Sequence, residues 1–299
     1  MLTQTSHDAT AERSSDQASP ASAAQPDPAG PRGAESGEPL VQLQGVSKSF
    51  NGLTVLNDIN LTIERGKVTV VLGPSGTGKS VLLKHIVGLL KPDKGHVYFE
   101  NRCVDAMAPA ELVEMRTRIG YLFQLGALFD SMTVEENVCF PLIEHTRYNK
   151  QQQCARARKV LAMVGLQGTE SKMPAELSGG QRKRVALARA IVLEPTLVLY
   201  DEPTTGLDPI RAGVINELIL ALTRNLGITA VVVTHDMSSA EKIADRMVLL
   251  YDGRIICDGD QQTFRRTDND LVRRFVTGQA DEADLNRIQA GFKPTSDET

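Results

Sequence analysis

Apolar residues along this chain fall into short runs and staggered stripes. Val41–Val46 and Val55–Ile63 read as strands, the second with Leu56, Ile59, Leu61 and Ile63 set among polar neighbours. Asn51-Gly52 between them is a hairpin-turn signal. Lys67–Gly73 is a short apolar strand running into a glycine-rich loop, and the segment after it carries Val81, Leu82, Ile86 and Leu89 on one helical face. Residues 128–176 read as mostly helical and polar, broken by loops. A helix over Gln181–Leu193 follows a Gly-Gly step, and a later helix carries Val214, Ile215, Leu218 and Leu222. Thr196–Tyr200, Thr229–Thr234 and Arg246–Tyr251 are continuous apolar runs suited to buried strands. Strands alternating with helices predict an α/β fold around a largely parallel sheet. No internal repeat is visible.

The two ends break this pattern. Residues 1–38 are dominated by Ala, Ser, Pro, Asp, Glu, Gln and Gly and read as a disordered N-terminal tail, because they bury too little surface to offset the entropy of ordering. They have no signal-peptide apolar stretch, and their acidic residues outnumber Arg13 and Arg32, unlike an organelle transit peptide. Residues 279–299 read as a polar C-terminal tail. The longest apolar runs, Val68–Leu72, Thr196–Tyr200 and Ile228–Val233, fall far short of the ~18–20 residues that span a bilayer.

The chain has 299 residues, of which 41% are hydrophobic, enough for a large core. Lys plus Arg number 33 against 37 Asp plus Glu, so the net charge is -4, which argues against a nucleic-acid partner. Cys103, Cys139, Cys154 and Cys257 form no CxxC pair and no Cys/His cluster with metal spacing. Neither a disulfide framework nor a zinc site is expected from them.

Three motifs carry chemistry. Gly73-Pro74-Ser75-Gly76-Thr77-Gly78-Lys79-Ser80 fits GxxxxGK[ST] between a strand and a helix. Such a loop curls backbone N–H groups around phosphate oxygens at a helix N-terminus. Lys79 is placed to reach the β- and γ-phosphates and Ser80 to ligate Mg2+. Thr196–Tyr200 then ends in Asp201-Glu202, a carboxylate pair at the edge of the sheet. Asp201 is the candidate second Mg2+ ligand, and Glu202 the candidate general base for water in line with the γ-phosphate. Leu177-Ser178-Gly179-Gly180-Gln181 is a second phosphate nest opening a helix.

That pentapeptide, standing between the P-loop and Asp201-Glu202, resembles the signature of the ATP-binding-cassette (ABC) ATPases. The resemblance covers roughly residues 40–260 and implies a P-loop NTPase cassette: a RecA-like core, an antiparallel β subdomain and a helical signature subdomain at about 125–180, within an ATPase domain spanning 39–278. It implies ATP and Mg2+ as cofactors. On the family pattern Phe50 stacks on adenine, where Tyr is usual. Gln124 is the Q-loop glutamine beside Mg2+ and water, Asp208 of Gly206-Leu207-Asp208 belongs to the D-loop, and His235 is the switch histidine at the γ-phosphate. Ser178, Gly179, Gly180 and Gln181 meet the ATP held by a second subunit, so the resemblance implies a head-to-tail homodimer around two ATP molecules.

With no spanning segment expected, a transporter role requires a separate multi-span permease. The stretch Leu122–Val138, continuing through Phe140–Thr146, is similar to the cassettes of Mce/Mla-type phospholipid transporters. Leu128, Phe129 and Met132 are the candidate anchors for a permease helix. Asn269–Gly278 resembles the same family's C-terminal helix. The resemblance implies an Mce-domain substrate-binding protein and a STAS-domain protein as further partners, and a peripheral location on the cytoplasmic side of a bacterial inner membrane. The alternative is the ATPase of an importer for amino acids or another small polar solute. A soluble ABC protein of DNA repair or translation fits less well, since no second cassette, coiled-coil insertion or zinc module is visible.

Overall fold

The computed structural model describes residues 39–279. The tail expected at 1–38, and the one expected at 279–299 from residue 280 onward, lie outside the described residues. Two sheets share the remainder. The first is antiparallel, in the order β2-β1-β4-β5, from β1 (Pro39–Phe50), β2 (Leu53–Glu64), β4 (Lys94–Phe99) and β5 (Arg102–Cys103). The second runs β10-β9-β3-β8-β7-β6, from β3 (Val68–Leu72), β6 (Ile119–Leu122), β7 (Leu197–Asp201), β8 (Thr229–Thr234), β9 (Arg246–Tyr251) and β10 (Arg254–Gly259). It is parallel except for the β9–β10 pair. The helices are α1 (Lys79–Ile86), α2 (Pro109–Thr117), α3 (Val134–His145), α4 (Lys150–Met163), α5 (Gly179–Ile191), α6 (Pro209–Leu226), α7 (Met237–Ile243), α8 (Gln261–Arg266) and α9 (Asp270–Thr277).

The continuous apolar runs mark strands buried on both faces. Each strand sends alternate side chains to two cores. Val71, Leu199, Val231, Val233, Val248 and Leu250 join a core with α1 and the antiparallel sheet. Val70, Leu72, Val198, Tyr200, Val232 and Leu249 join the other, with Val138 of α3, Val160 of α4, Val185 and Leu187 of α5 and Ile215 of α6. The helices between β6 and β7 therefore share a core with the sheet.

Some elements differ from the sequence reading. Leu89 was expected on the buried face of α1, yet it is 54% exposed. The helix stops at Ile86 because Gly88 takes φ +67°, with Leu89 N–H donating to Lys84 O (2.8 Å) and Gly88 N–H to His85 O (3.0 Å). That is a glycine C-cap, which turns the chain out to solvent. Val214 is likewise 44% exposed, while Ile215 and Leu222 of α6 are buried. β4, β5 and β10 escaped the sequence reading because two to six half-polar residues carry little periodicity, and β6 because it is apolar but only four residues long.

The four cysteines are free thiols. Cys103 lies beside His96 and Asp105, with Sγ 3.9 Å from His96 Nδ1 and 3.4 Å from Asp105 Oδ2. The spacing in sequence concealed this. The β4–β5 register, Tyr98 opposite Cys103, brings the three together.

Candidate functional site

The parallel register builds the site. Leu72 pairs with Thr234, and Asp201 with Val233, so β3, β7 and β8 end together. Gly73, Glu202 and His235 follow directly, at the carboxyl edge of the sheet where open α/β folds bind ligands.

The loop after β3 needs its glycines at particular points. A Cβ on Gly73 would lie 2.3 Å from Leu250 O. Gly78 takes φ +95°, and a Cβ there would lie 3.0 Å from side chains of Val55 and Leu56 in β2. Gly78 also caps α1, so the helix N-terminus opens into the loop. Lys79, only 6% exposed, bends back across the loop and donates from Nζ to Gly73 O (2.8 Å) and Pro74 O (2.9 Å). Thr77 Oγ1 also donates to Pro74 O (2.9 Å). Ser75 and Gly76 form the exposed rim.

Beside Lys79, residues far apart in sequence converge. Ser80 Oγ donates to Asp201 Oδ1 (2.8 Å), which joins two of the residues expected at Mg2+, while Gln124 stands apart. A hydroxyl beside a carboxylate, on the rim of a phosphate cradle, is a donor set that fits a hard cation taking oxygen ligands. Glu202 Oε1 lies 3.4 Å from Lys79 Nζ, and its Oε2 is 3.0 Å from His235 Nδ1 and accepts from Thr205 Oγ1 (3.2 Å). Glu202 is buried and holds φ +50°, a left-handed conformation that costs a non-glycine residue about 1–3 kcal/mol. Its N–H donates to Val233 O (3.0 Å), which fixes the carboxylate against the sheet edge.

Two further residues belong here that sequence reasoning missed. Tyr121 of β6 donates from its hydroxyl to Asp201 Oδ2 (3.2 Å). Burial, with Asp201 alongside, pushes this phenol well above its usual range, so it remains a donor. Lys183 of α5 is buried and donates to Glu202 O (3.1 Å) and Pro203 O (2.8 Å), tying the signature helix to the Asp-Glu turn. Burial lowers its pKa. A lysine in a polar helix gives no sequence signal of this. The β6–β7 pairing could have exposed Tyr121, had β6 been recognised.

Other expected residues stand apart. Ser178 and Gln181 close a capping box on α5: Gln181 N–H donates to Ser178 Oγ (3.3 Å), and Ser178 N–H to Gln181 Oε1 (2.9 Å). Among the described residues, no hydrogen bond joins Ser178, Gly179, Gly180 or Gln181 to the P-loop. A Cβ on Gly180 would touch the Arg211 side chain at 3.4 Å, and one on Gly179 would touch Leu207 at 3.8 Å, so the signature packs on the D-loop end of α6. Asp208 is the exposed N-cap of α6, accepting from Arg211 N–H (3.0 Å), and this bond holds its carboxyl below the usual range. Gln124 is exposed just past β6 and makes no hydrogen bond to Ser80, Asp201 or Glu202. Phe50 ends β1 half-exposed, with Lys48 Nζ 5.6 Å from its ring centroid.

The stretch around Gln124 and on into the following helix exposes several large apolar residues. Phe123, Leu125, Phe129, Ile143 and Tyr148 are exposed, Leu125 at 92%. Of the three expected anchors, Phe129 is exposed, its ring tilted against Phe140 at a centroid distance of 4.9 Å, whereas Leu128 and Met132 are half-buried and Leu128 packs against the core. Buried Asn137 fixes the loop, donating from Nδ2 to Phe129 O (3.1 Å), Met132 O (3.0 Å) and Thr133 O (3.0 Å) and accepting from Phe129 N–H (2.9 Å).

A phosphate cradle, a polar pair suited to a hard cation and a second carboxylate facing the cradle's lysine, all on one sheet edge, place the chain among the P-loop nucleoside triphosphatases. The relatives narrow this. Residues 56–205 match the family model described as ABC transporter. The chain is 42% identical over 252 residues to the intermembrane phospholipid transport system ATP-binding protein MlaF of Escherichia coli K12, covering 84% of this chain and 94% of that one. It is 40% identical over 252 residues to the probable ribonucleotide transport ATP-binding protein mkl of Mycobacterium tuberculosis H37Rv, covering 83% of this chain and 70% of that one. Among solved structures, the dimeric cassette MJ0796 in a post-hydrolysis state bound to ADP and Pi aligns with TM-score 0.69 and 36% identity, over 74% of this chain and 98% of that one. CbiO1 of Clostridium perfringens, part of the cbiONQ transporter complex, aligns with TM-score 0.70 and 30% identity, over 81% of this chain and 99% of that one. The chain belongs to the ABC transporter family, as an ATP-binding and ATP-hydrolysing member with the cassette fold. Among the described residues, no helix is long and apolar enough to cross a membrane.

Proposed function

We propose that this chain is the energy-supplying ATPase of a phospholipid transporter of the Mce/Mla type. The observation that carries the reading is the 42% identity to MlaF across 94% of that protein. The chain docks on a multi-span permease, peripheral to the cytoplasmic face of a bacterial inner membrane. An Mce-domain protein and a STAS-domain protein complete the assembly. The exposed surface of Phe123, Leu125, Phe129, Ile143 and Tyr148 suits an apolar helix from the permease, since exposed patches of this kind mark docking sites.

Two copies face head to tail around two ATP molecules. Phe50 stacks on adenine, and the loop Gly73–Ser80 wraps the phosphates. Ser80, Asp201 and Gln124 would hold Mg2+. When bound, Mg2+ supplies charge that neutralises the β- and γ-phosphate oxygens. Glu202 takes the proton of the attacking water, and His235, 3.0 Å from it, orients that carboxylate and meets the γ-phosphate. Lys79 holds the developing phosphate charge. Ser178, Gly179, Gly180 and Gln181, together with Asp208, close the site from the partner copy. That Ser178 and Gln181 satisfy each other, away from their own P-loop, supports this reading.

A second reading rests on the mkl relatives, whose name assigns ribonucleotide transport. Purification from native membranes in mild detergent, with mass spectrometry of proteins and lipids, separates the two. A permease, an Mce-domain protein and bound phospholipid are expected. A permease with a solute-binding protein, and no lipid enrichment, would replace phospholipid by a polar solute.

A further inference from the structure

The β4–β5 hairpin gathers three different metal-ligating side chains. The turn between its strands is two residues long, with Phe99 paired to Arg102 and Glu100 and Asn101 both at positive φ (50° and 61°). Such a turn fixes the register. Tyr98 stands opposite Cys103, and directly opposed residues share a face. His96, two residues before Tyr98, shares that face by strand alternation. Asp105 comes in from the 3₁₀ turn Val104–Ala106. Its Oδ1 accepts from Val97 N–H (2.9 Å), which aims Oδ2 at the other two groups. Oδ2 lies 2.7 Å from His96 Nδ1 and 3.4 Å from Cys103 Sγ, and the sulfur lies 3.9 Å from that same nitrogen.

We propose that His96, Cys103 and Asp105 form a binding site for a zinc-class divalent cation, separate from the ATP-binding residues. In a tetrahedral zinc centre with ordinary bond lengths, N, O and S donors stand about 3.3–3.6 Å apart. The three observed separations, 2.7, 3.4 and 3.9 Å, bracket that range, so side-chain shifts of about 0.6 Å bring each donor to bonding distance. The cation displaces the proton between His96 Nδ1 and Asp105 Oδ2 and the thiol proton that Cys103 donates to Asp105, and both pass to solvent. Imidazole, thiolate and carboxylate together favour Zn2+, whereas Mg2+ and Ca2+ take oxygen ligands and reject the thiolate. The site therefore ignores the Mg2+ that serves ATP. The His96 side chain is 60% exposed, so ions enter from solvent and the fourth coordination position goes to water.

The test uses the full-length protein, stripped of metal and free of nucleotide, titrated with Co2+. One equivalent should bind with thiolate-to-cobalt charge-transfer absorption, and Zn2+ should displace it. Cys103→Ser should abolish that absorption, although Cys139, Cys154 and Cys257 remain. His96→Ala, at an exposed position that leaves the fold intact, should weaken Co2+ binding roughly tenfold or more. ATPase activity in Mg2+ should stay unchanged in both variants. Absence of the thiolate band in the wild type at saturating Co2+, or its persistence in Cys103→Ser, would overturn the proposal. Should Cys103→Ser fail to fold, wild-type Co2+ affinity in His96→Ala would overturn it equally.

Discussion

The P-loop edge and the signature end of this molecule both open a helix from a glycine-bearing segment, yet they use their polar groups in opposite ways. At the P-loop edge, side chains from four separate stretches bind one another: Ser80 with Asp201, Tyr121 with Asp201, and Glu202 with Lys79 and His235. At the signature end, Ser178 and Gln181 turn inward on their own helix, and Asp208 caps its own. The first region joins groups distant in the chain. The second satisfies its polar groups locally, on its own helix ends. One residue links the two: Lys183 leaves the signature helix to bind the carbonyls of Glu202 and Pro203.

The largest expected effect breaks the P-loop edge alone. Glu202→Gln removes the candidate general base and should lower ATP turnover by about 10²–10⁴-fold. ATP binding, measured by fluorescent-nucleotide titration, should survive. Turnover at the wild-type rate would remove Glu202 from that role.

The division of labour itself can be broken with mixed dimers. Lys79→Ala in one subunit and Ser178→Arg in the other should leave one intact composite site and measurable hydrolysis. Both substitutions in one subunit, against a wild-type partner, should leave none. The reverse result would make the signature serve its own chain.

The link between the two regions is expected to matter less. Lys183→Met leaves the buried Pro203 carbonyl unpaired and Glu202 O with only Thr205 N–H (3.3 Å), and should destabilise the fold by about 1–3 kcal/mol, read by urea denaturation. A loss of turnover larger than the loss of stability explains would show that this tie also aligns Glu202. Tyr121→Phe removes the hydrogen bond on Asp201 and should raise the Mg2+ concentration needed for half-maximal activity about tenfold, with activity recovered at high Mg2+. Recovery would mark Tyr121 as a positioning residue.

The smallest effect lies behind the P-loop. His85 is fully buried in α1, its Nδ1 2.8 Å from Val81 O and its Nε2 without a partner among the described residues. Burial lowers its pKa from 6.5, so the neutral ring is the native form. Below about pH 6.5 the unfolded chain binds a proton that the folded chain refuses. Stability is therefore full above that pH and falls as pH drops from there towards the lowered folded value. Thermal melting across pH 5–8 should show this slope, and His85→Leu should flatten it.

How much was legible varies between these regions for a physical reason. Gly73–Ser80 is contiguous, and its chemistry needs fixed residue types at fixed spacing, so it could be read directly. Thr196–Glu202 could be read because a strand buried on both faces must be apolar until it reaches the site. Lys183 and Tyr121 could not, since each acts on atoms distant in the chain, and Asn137 could not, since its partners are the backbone of a loop with no periodicity to read. Leu128 looked like a docking anchor because a sequence does not tell an apolar residue facing solvent from one facing the core. Leu125, 92% exposed, was the better candidate.

The sequence by itself determined the alternation of strands and helices, the phosphate loop, the carboxylate pair and the signature, because local periodicity and fixed motif spacing encode them. Tertiary structure alone decided which of these groups meet. The register of β3, β7 and β8 brought Lys79, Ser80, Asp201, Glu202 and His235 to one edge, and the fold turned the signature away from it. A two-residue turn decided that His96, Cys103 and Asp105, separated along the chain, share one face. Pairing across strands is a property of the assembled sheet, and no single segment carries it.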